Sequence, residues 1–391
     1  MLRLLLATLV LLAAAVAGLW FALRPVPAPS GARFDVAQAL GGEADPKFAR
    51  AETPRAFRFP QDHGPHPQFR NEWWYFTGNL FGADGQRFGY ELSLFRIALS
   101  PEAQPRRSEW ATNQAYMGHF AVTDARGKTF HFFERFARGA AGLAGARAEP
   151  FAVWLEDWRA TADDQRPDTW RITTRADEVA IDLRVTPVKP IVLQGDRGFS
   201  RKSAEPGNAS YYYSIPRLAT EGTITLGDKV TRVRGSSWLD REWSTSALGA
   251  DQVGWDWFAL QLDDGHELMF YQLRQRDGQT DPFSAGTWID AAGATHRLAA
   301  QDVTIEVLEE WDSPRGGTYP ARWRLTVPSA QLSVEVTPVL ADQELDVSVR
   351  YWEGAVDAAG TRAGRHVTGV GYVELTGYAS TPTDRTRRMA R

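Results

Sequence analysis

Two carboxylates in the run Trp238-Leu239-Asp240-Arg241-Glu242-Trp243 carry the most definite chemistry in this 391-residue chain. Read as a strand, the run alternates. Trp238, Asp240 and Glu242 then share one face, and Leu239, Arg241 and Trp243 the other. Strand rise separates the two carboxylates by about 6–7 Å. On a face turned into an aromatic cavity, lost hydration and mutual repulsion would raise the pKa of at least one of them. A protonated carboxyl beside aromatic rings can protonate an alkene. The ring faces would steady the resulting cation, and the second carboxylate would orient the attacking water. Asp240 and Glu242 are therefore the candidate catalytic pair. The alternative is structural: both could pair with arginines such as Arg217 or Arg241 and fasten two parts of the chain together.

Glu72 poses the same choice between a salt-bridge anchor and a functional carboxylate, because glutamate is seldom buried without a partner. It shares a strand face with Trp74, Phe76 and Leu80, while Trp73, Tyr75, Thr77 and Asn79 take the other face. Upstream, Asp62-His63-x-x-His66 has a spacing that a metal could use, with Glu72 completing the set. Pro65 and Pro67 bracket His66, however, and favour a rigid hydrogen-bonded plug, so no metal ligand is assigned. His119, His131, His266, His296 and His366 stand isolated.

The elements that must position these residues read as strands. From about Phe57 onward, apolar and polar residues alternate over short runs such as Tyr90 to Arg96, Val179 to Val185 and Trp255 to Leu262. Turn signals recur between them, including Ala83-Asp84-Gly85 and Asp263-Asp264-Gly265. Helical periodicity is confined to Asp35 to Leu40 and Gly139 to Ala148. The chain also repeats itself. Trp73-Trp74-Tyr75-Phe76 returns as Trp255-Asp256-Trp257-Phe258, and Leu155-Glu156-Asp157-Trp158 returns as Leu308-Glu309-Glu310-Trp311. Trp170-Arg171-Ile172-Thr173 returns as Trp323-Arg324-Leu325-Thr326, and Val185-Thr186-Pro187-Val188 as Val336-Thr337-Pro338-Val339. Val233-x-Gly235-x-Ser237-Trp238-x-Asp240 returns as Val367-x-Gly369-x-Gly371-Tyr372-x-Glu374. Matches in sequence order predict one all-β domain built twice, as a sandwich or barrel. The predicted domains run over 55–245 and 246–382, with 25–54 as a linker and 383–391 as a basic tail.

Composition narrows the function. A net charge of −4 shows no basic stripe for nucleic acid. With no cysteine, thiol nucleophiles, zinc knuckles and iron–sulfur clusters are excluded. No Gly-x-Ser-x-Gly elbow, P-loop, Gly-x-Gly-x-x-Gly or His-Glu-x-x-His is present. Residues 4–23 are apolar and uncharged, flanked by Arg3 and Arg24. They predict a signal peptide over 1–24 or an uncleaved anchor in the inner membrane, and export to the periplasm. The 15 tryptophans are partly explained by the repeat, and Trp74, Trp238 and Trp243 remain as ligand candidates.

Phe59-Pro60-Gln61-Asp62-His63-Gly64-Pro65-His66-Pro67 and Glu72-Trp73-Trp74-Tyr75-Phe76-Thr77-Gly78-Asn79-Leu80 resemble the opening signature of the carotenoid hydratase/AttH family. Tyr211-Tyr212-Tyr213-Ser214-Ile215-Pro216-Arg217 and Gly235 to Trp243 resemble two further signatures of that family. The resemblance implies two tandem lipocalin-like, calycin-type antiparallel barrels and no cofactor. It implies an apolar small molecule or lipid as ligand, with an ABC transporter or other envelope component as possible partner. Within these signatures, Glu72, Tyr75, Tyr213 and Arg217 join the three tryptophans as ligand-binding candidates, and Asp240 matches the position of the hydratase acid. Related enzymes often carry His or Asn near this Asp, where this chain has Leu239, Arg241 and Glu242. The sequence thus leaves two readings: an exported carrier of a hydrophobic ligand, or a cofactor-independent hydro-lyase or cyclase.

Overall fold

The computed structural model describes residues 45–102, 108–163, 165–166, 168–246 and 248–379. The apolar segment 4–23, the helix expected over Asp35 to Leu40 and the basic tail lie outside these residues. Among the described residues no helix is long and apolar enough to cross a membrane. The alternating runs become antiparallel strands in two sheets, of 13 and 10 strands. They form a near-barrel and a half-barrel, the tandem lipocalin-like arrangement. Gly139 to Ala148, expected to be helical, is instead a turn followed by the strand Ala144–Arg147. Its small residues carry no apolar face for a helix to bury, and Ala144–Arg147 pairs with Ala152–Leu155.

Both sheets follow the same plan. In the first barrel the opening strand Asn71–Gly82 lies between its successor Arg87–Ala98 and the closing strand Lys229–Ser244, which pairs in turn with Ala209–Leu226. In the second, Gln252–Leu262 lies between Glu267–Gln275 and the closing strand Arg365–Leu375, which pairs with Arg350–Arg362. Register makes the copies equivalent position by position. Tyr75 opposes Asp240 as Trp257 opposes Glu374, and Ser214 opposes Asp240 as Glu353 opposes Glu374.

Alternation gives each of these strands two apolar destinations. Trp74, Phe76 and Leu80 point into the first barrel, with Trp158, Trp170 and Leu239. Phe258, Leu260 and Leu262 fill the second with Trp323 and Trp352. The opposite faces pack on each other: Tyr75, Tyr212 and Trp238 meet Trp257, Met269 and Tyr271 between the barrels. Hydrogen bonds lock this junction. Asn79 Nδ2 donates to the Gly371 carbonyl at 2.9 Å, Thr123 Oγ1 to Gln343 Oε1 at 2.7 Å, and Thr287 Oγ1 to Gln194 Oε1 at 2.6 Å.

The fit is tight at Gly89, where an added Cβ would stand 2.5 Å from Ala355 Cβ of the other barrel. Gly89→Val is expected to force the sheets apart and cost about 1–3 kcal/mol, the usual scale for overpacking. A fall in urea midpoint at unchanged m-value is the measurement.

Candidate functional site

The junction encloses a cavity of about 90 Å³ that draws its lining from both barrels. On the first barrel, alternate residues of the opening strand supply Trp73 and Tyr75, and those of the closing strand supply Asp240 and Glu242. Tyr212 and Phe95 flank them, and Lys202 reaches in from the segment after the short strand Phe199–Arg201. The second barrel supplies the equivalent set: Trp255 and Trp257, Glu374, Tyr351 and Glu353, and Tyr271. Across the cavity, Tyr75 of the first barrel reaches Glu353 of the second.

Asp240 is held by its own sheet and by the strand beside it. Ser214 Oγ donates to Oδ1 at 2.5 Å, Trp238 Nε1 donates to the same oxygen at 2.7 Å, and the Tyr212 hydroxyl donates to Oδ2. Burial outweighs these donors and, with the nearby Glu242 charge, pushes the carboxyl up to about 7. Glu374 is pushed up to about 8 by burial and by the neighbouring Glu91, Asp240 and Glu242, although Trp255 Nε1 donates to it at 3.0 Å. Glu353 is raised well above the usual carboxylate range by burial, Glu91 and Glu374, and accepts a 2.5 Å hydrogen bond from the Tyr75 hydroxyl. Glu242 forms an ion pair with Lys202 at 3.1 Å. Burial opposes the ammonium charge of Lys202, but Glu242 and Tyr271 outweigh it and raise its pKa. Its Nζ also lies 4.2 Å from the Tyr271 ring centroid.

The site therefore combines a carboxyl that titrates near neutrality, two further carboxyls biased towards the protonated form, one ion pair and aromatic walls. Such a set can give a proton to a weakly basic carbon and stabilise the cation formed. The three donors around Asp240 would then stabilise the carboxylate left behind. Among the described residues no three His, Cys, Asp or Glu side chains are arranged to hold a metal ion.

Of the residues singled out from sequence, Asp240, Glu242 and Tyr75 line the cavity, and Trp238 stands directly behind Asp240. Glu72, Trp74, Tyr213 and Trp243 do not line it. They lie one position out of phase on their strands, so their side chains point into the first barrel. There Glu72 pairs with both Arg96 and Arg241. Burial opposes its charge, but the two guanidiniums outweigh it and hold the carboxyl well below the usual range. Arg241 also covers the Trp74 ring, with its guanidinium carbon 3.9 Å from the centroid. Trp243 stacks on His66 at 3.7 Å, and the Tyr213 hydroxyl lies 2.6 Å from His63 Nδ1. Burial and Arg241 lower His63 to about 4, which keeps its ring neutral. His66 bridges Asp62 and Glu72 at 3.1 and 3.3 Å, so the Asp-His-x-x-His run is a structural clasp. Arg217 joins the barrels through Glu267 at 2.6 Å, outside the cavity lining. Arg217 and Arg241 pair with Glu267 and Glu72 and not with Asp240 or Glu242, while Glu242 takes Lys202 as its cation.

Several lining residues escaped the sequence reading. Glu374 and Trp257 were accessible through the repeat, being the counterparts of Asp240 and Tyr75. Tyr351 and Glu353 carried a weaker signal, because their counterparts Tyr212 and Ser214 differ in type or gave no reason to look. Lys202 had none, since it comes from outside the repeated strands.

The AttH-like family model matches residues 50–378. Over 187 residues the chain is 24% identical to kievitone hydratase of Fusarium solani subsp. phaseoli, covering 42% of this chain and 49% of that protein. It thus spans about half the length of this curated relative. A crystal structure of a candidate AttH from Nitrosomonas europaea shares 34% identity and a TM-score of 0.76, covering 85% of this chain and all of that one. Kievitone hydratase from Nectria haematococca, at 15% identity and a TM-score of 0.64, covers 85% of this chain and 97% of its own and shares the fold. With the family model covering most of its length, the chain belongs to the AttH-like family.

Proposed function

We propose that this protein is a hydro-lyase that works without a cofactor, adding water across a carbon–carbon double bond of an apolar, isoprenoid-like substrate in the junction cavity. The observation that carries the reading is Asp240. It is a buried carboxyl raised to about 7 among indole and phenol rings, with three donors placed to stabilise its conjugate base. A general acid is most effective when its pKa lies near the working pH. Membership of a family whose relatives include a kievitone hydratase supports the same chemistry.

The cavity is smaller than the roughly 300–1,000 Å³ of sites that enclose drug-sized ligands. It fits the reacting end of a substrate, and Phe95, Leu248 and Leu273 give its lining apolar surface. Buried side chains fill the interior of each barrel. A hydrophobic ligand held inside a barrel, as a carrier would hold it, has less support than one held at the junction. Export remains part of this proposal, resting on the apolar segment 4–23.

Incubation with kievitone and with geraniol in ¹⁸O-labelled water tests the reading. Hydration is expected to add one water carrying the label, detected by mass spectrometry. Quenching of the tryptophans without any mass gain would identify a binding protein and overturn the enzymatic reading.

A further inference from the structure

Acid-catalysed hydration needs a group that takes a proton from the incoming water, and the second barrel supplies one. Tyr351 lines the cavity, and its hydroxyl lies 2.6 Å from His119 Nδ1 of the first barrel. The other ring nitrogen, Nε2, lies 3.1 Å from Glu134 Oε1. His119 and Ser93 of its neighbouring strand sit directly opposite in register, which points both at the junction. Glu134 is itself fixed from the second barrel, accepting a 2.5 Å hydrogen bond from Ser348 Oγ. Hydrogen bonds from His119 and Ser348 overcome burial and lower the Glu134 pKa, so Glu134 acts as an acceptor. In the neutral ring Nε2 then carries the hydrogen, which leaves Nδ1 to accept from Tyr351.

The other phenols at the acidic positions are engaged differently. Tyr212 donates to Asp240 and Tyr75 donates to Glu353, and both acceptors are themselves biased towards holding a proton. Of these three tyrosines, Tyr351 is the one whose proton is directed at a basic nitrogen.

We propose that Tyr351, oriented by His119 and Glu134 across the barrel junction, is the general base of the hydration and that the pair is its proton relay. This rests on the hydro-lyase reading. Asp240 gives its proton to one alkene carbon, forming a C–H bond and a carboxylate. The water oxygen bonds to the cationic carbon. One water proton passes to Tyr351 Oη as the tyrosine's own proton passes to His119 Nδ1. The imidazolium so formed faces the Glu134 carboxylate, whose side chain is 15% exposed and gives the proton a route to solvent. Tyrosinate never forms, which matters because burial and the nearby Glu91, Glu353 and Glu374 raise the Tyr351 pKa. Asp240 regains a proton from solvent, and the net change is addition of one water. Tyr351 is the catalytic residue of this step, while His119 and Glu134 are positioning residues.

Two readouts test the relay. In ¹⁵N-histidine-labelled protein, His119 should show a hydrogen on Nε2 and an unprotonated Nδ1. Tyr351→Phe should shift the Nδ1 resonance towards that of a free imidazole and leave Nε2 in place. With kievitone and geraniol as probes, Tyr351→Phe and His119→Phe should lower kcat about 100-fold or more, within the range for general acid–base groups. Glu134→Gln should lower it by about tenfold or more, Glu134→Asp should recover part of the loss, and KM should stay within about twofold throughout. A hydrogen found on Nδ1 would overturn the proposal. So would full kcat in His119→Phe while Asp240→Asn is inactive, which would spare the acid reading. An Asp240→Asn variant as fast as wild type, with Tyr351→Phe and His119→Phe still slowed, would remove Asp240 as the acid and leave the base in place.

Discussion

Asp240→Asn is expected to lose about 10²–10⁴-fold in turnover, the usual contribution of a general acid, and yet to gain stability relative to wild type as pH rises. The sign follows from linkage. Asp240 is raised from 3.8 to about 7 in the folded protein. The protonated form is the one the native state favours, so its stabilising contribution is fully present below the unfolded value near 4. It is lost as pH rises through about 7, because the buried group must then ionise. Asparagine does not ionise. It carries a cost that does not vary with pH, since its amide faces Ser214, Tyr212 and Trp238, all of which donate towards this position. The stability difference between variant and wild type should therefore move in favour of the variant between pH 4 and pH 8.5. The change is at most about 4 kcal/mol, at 1.36 kcal/mol per pKa unit. Urea unfolding at the two pH values measures it. A difference that does not change with pH would mean that Asp240 is already ionised in the native protein, and the proposed acid would be absent.

Glu72→Gln should have the opposite profile: a large loss of stability with little change in the chemistry of the molecules that remain folded. Glu72 is fully buried between Arg96 and Arg241, both also buried. Replacing the carboxylate leaves two guanidiniums facing a neutral amide in a dry interior. Removing one partner of a buried pair typically costs about 3–5 kcal/mol. Arg96 keeps carbonyl acceptors at His66 and Phe69, and Arg241 keeps the carbonyl of Gly64, which places the cost within that range and not above it. Because the Glu72 pKa is depressed, its contribution is present above the ordinary carboxylate range and is lost as pH falls below it. Wild type and variant should therefore converge in strong acid. The site should survive in the folded fraction, since Glu72 faces the barrel interior and the cavity lies on the other side of the strand.

These two residues show how far the sequence could be read. Strand alternation correctly separated Asp240 and Glu242 from Leu239, Arg241 and Trp243, and it separated Glu72 and Trp74 from Trp73 and Tyr75. It could not say which face looks into a barrel and which looks towards the other barrel. In most sheets the polar face marks solvent, but here both faces of the opening strand and of the Ser237–Ser244 half of the closing strand are buried, so hydrophobicity does not distinguish them. That is why Glu72, Trp74, Tyr213 and Trp243 stood beside Tyr75 and Trp238 as ligand candidates. The repeat carried more information than alternation. It implied that Glu374 occupies the place of Asp240 and Trp257 that of Tyr75, which in a face-to-face pair of barrels puts all four around one cavity. His119 read as isolated because its partners are distant in sequence. Glu134 lies one hairpin away, and Tyr351 belongs to the other barrel.

The measurement that bears most directly on the central claim is the pH dependence of kcat for hydration by the wild-type protein. If Asp240 must be protonated to act, kcat should fall as pH rises through about 7, and Asp240→Asn should lack that limb in whatever residual rate it keeps. A rate that stays level from pH 6 to pH 9, or that rises through 7, would contradict a carboxylic acid at Asp240 as the source of the proton.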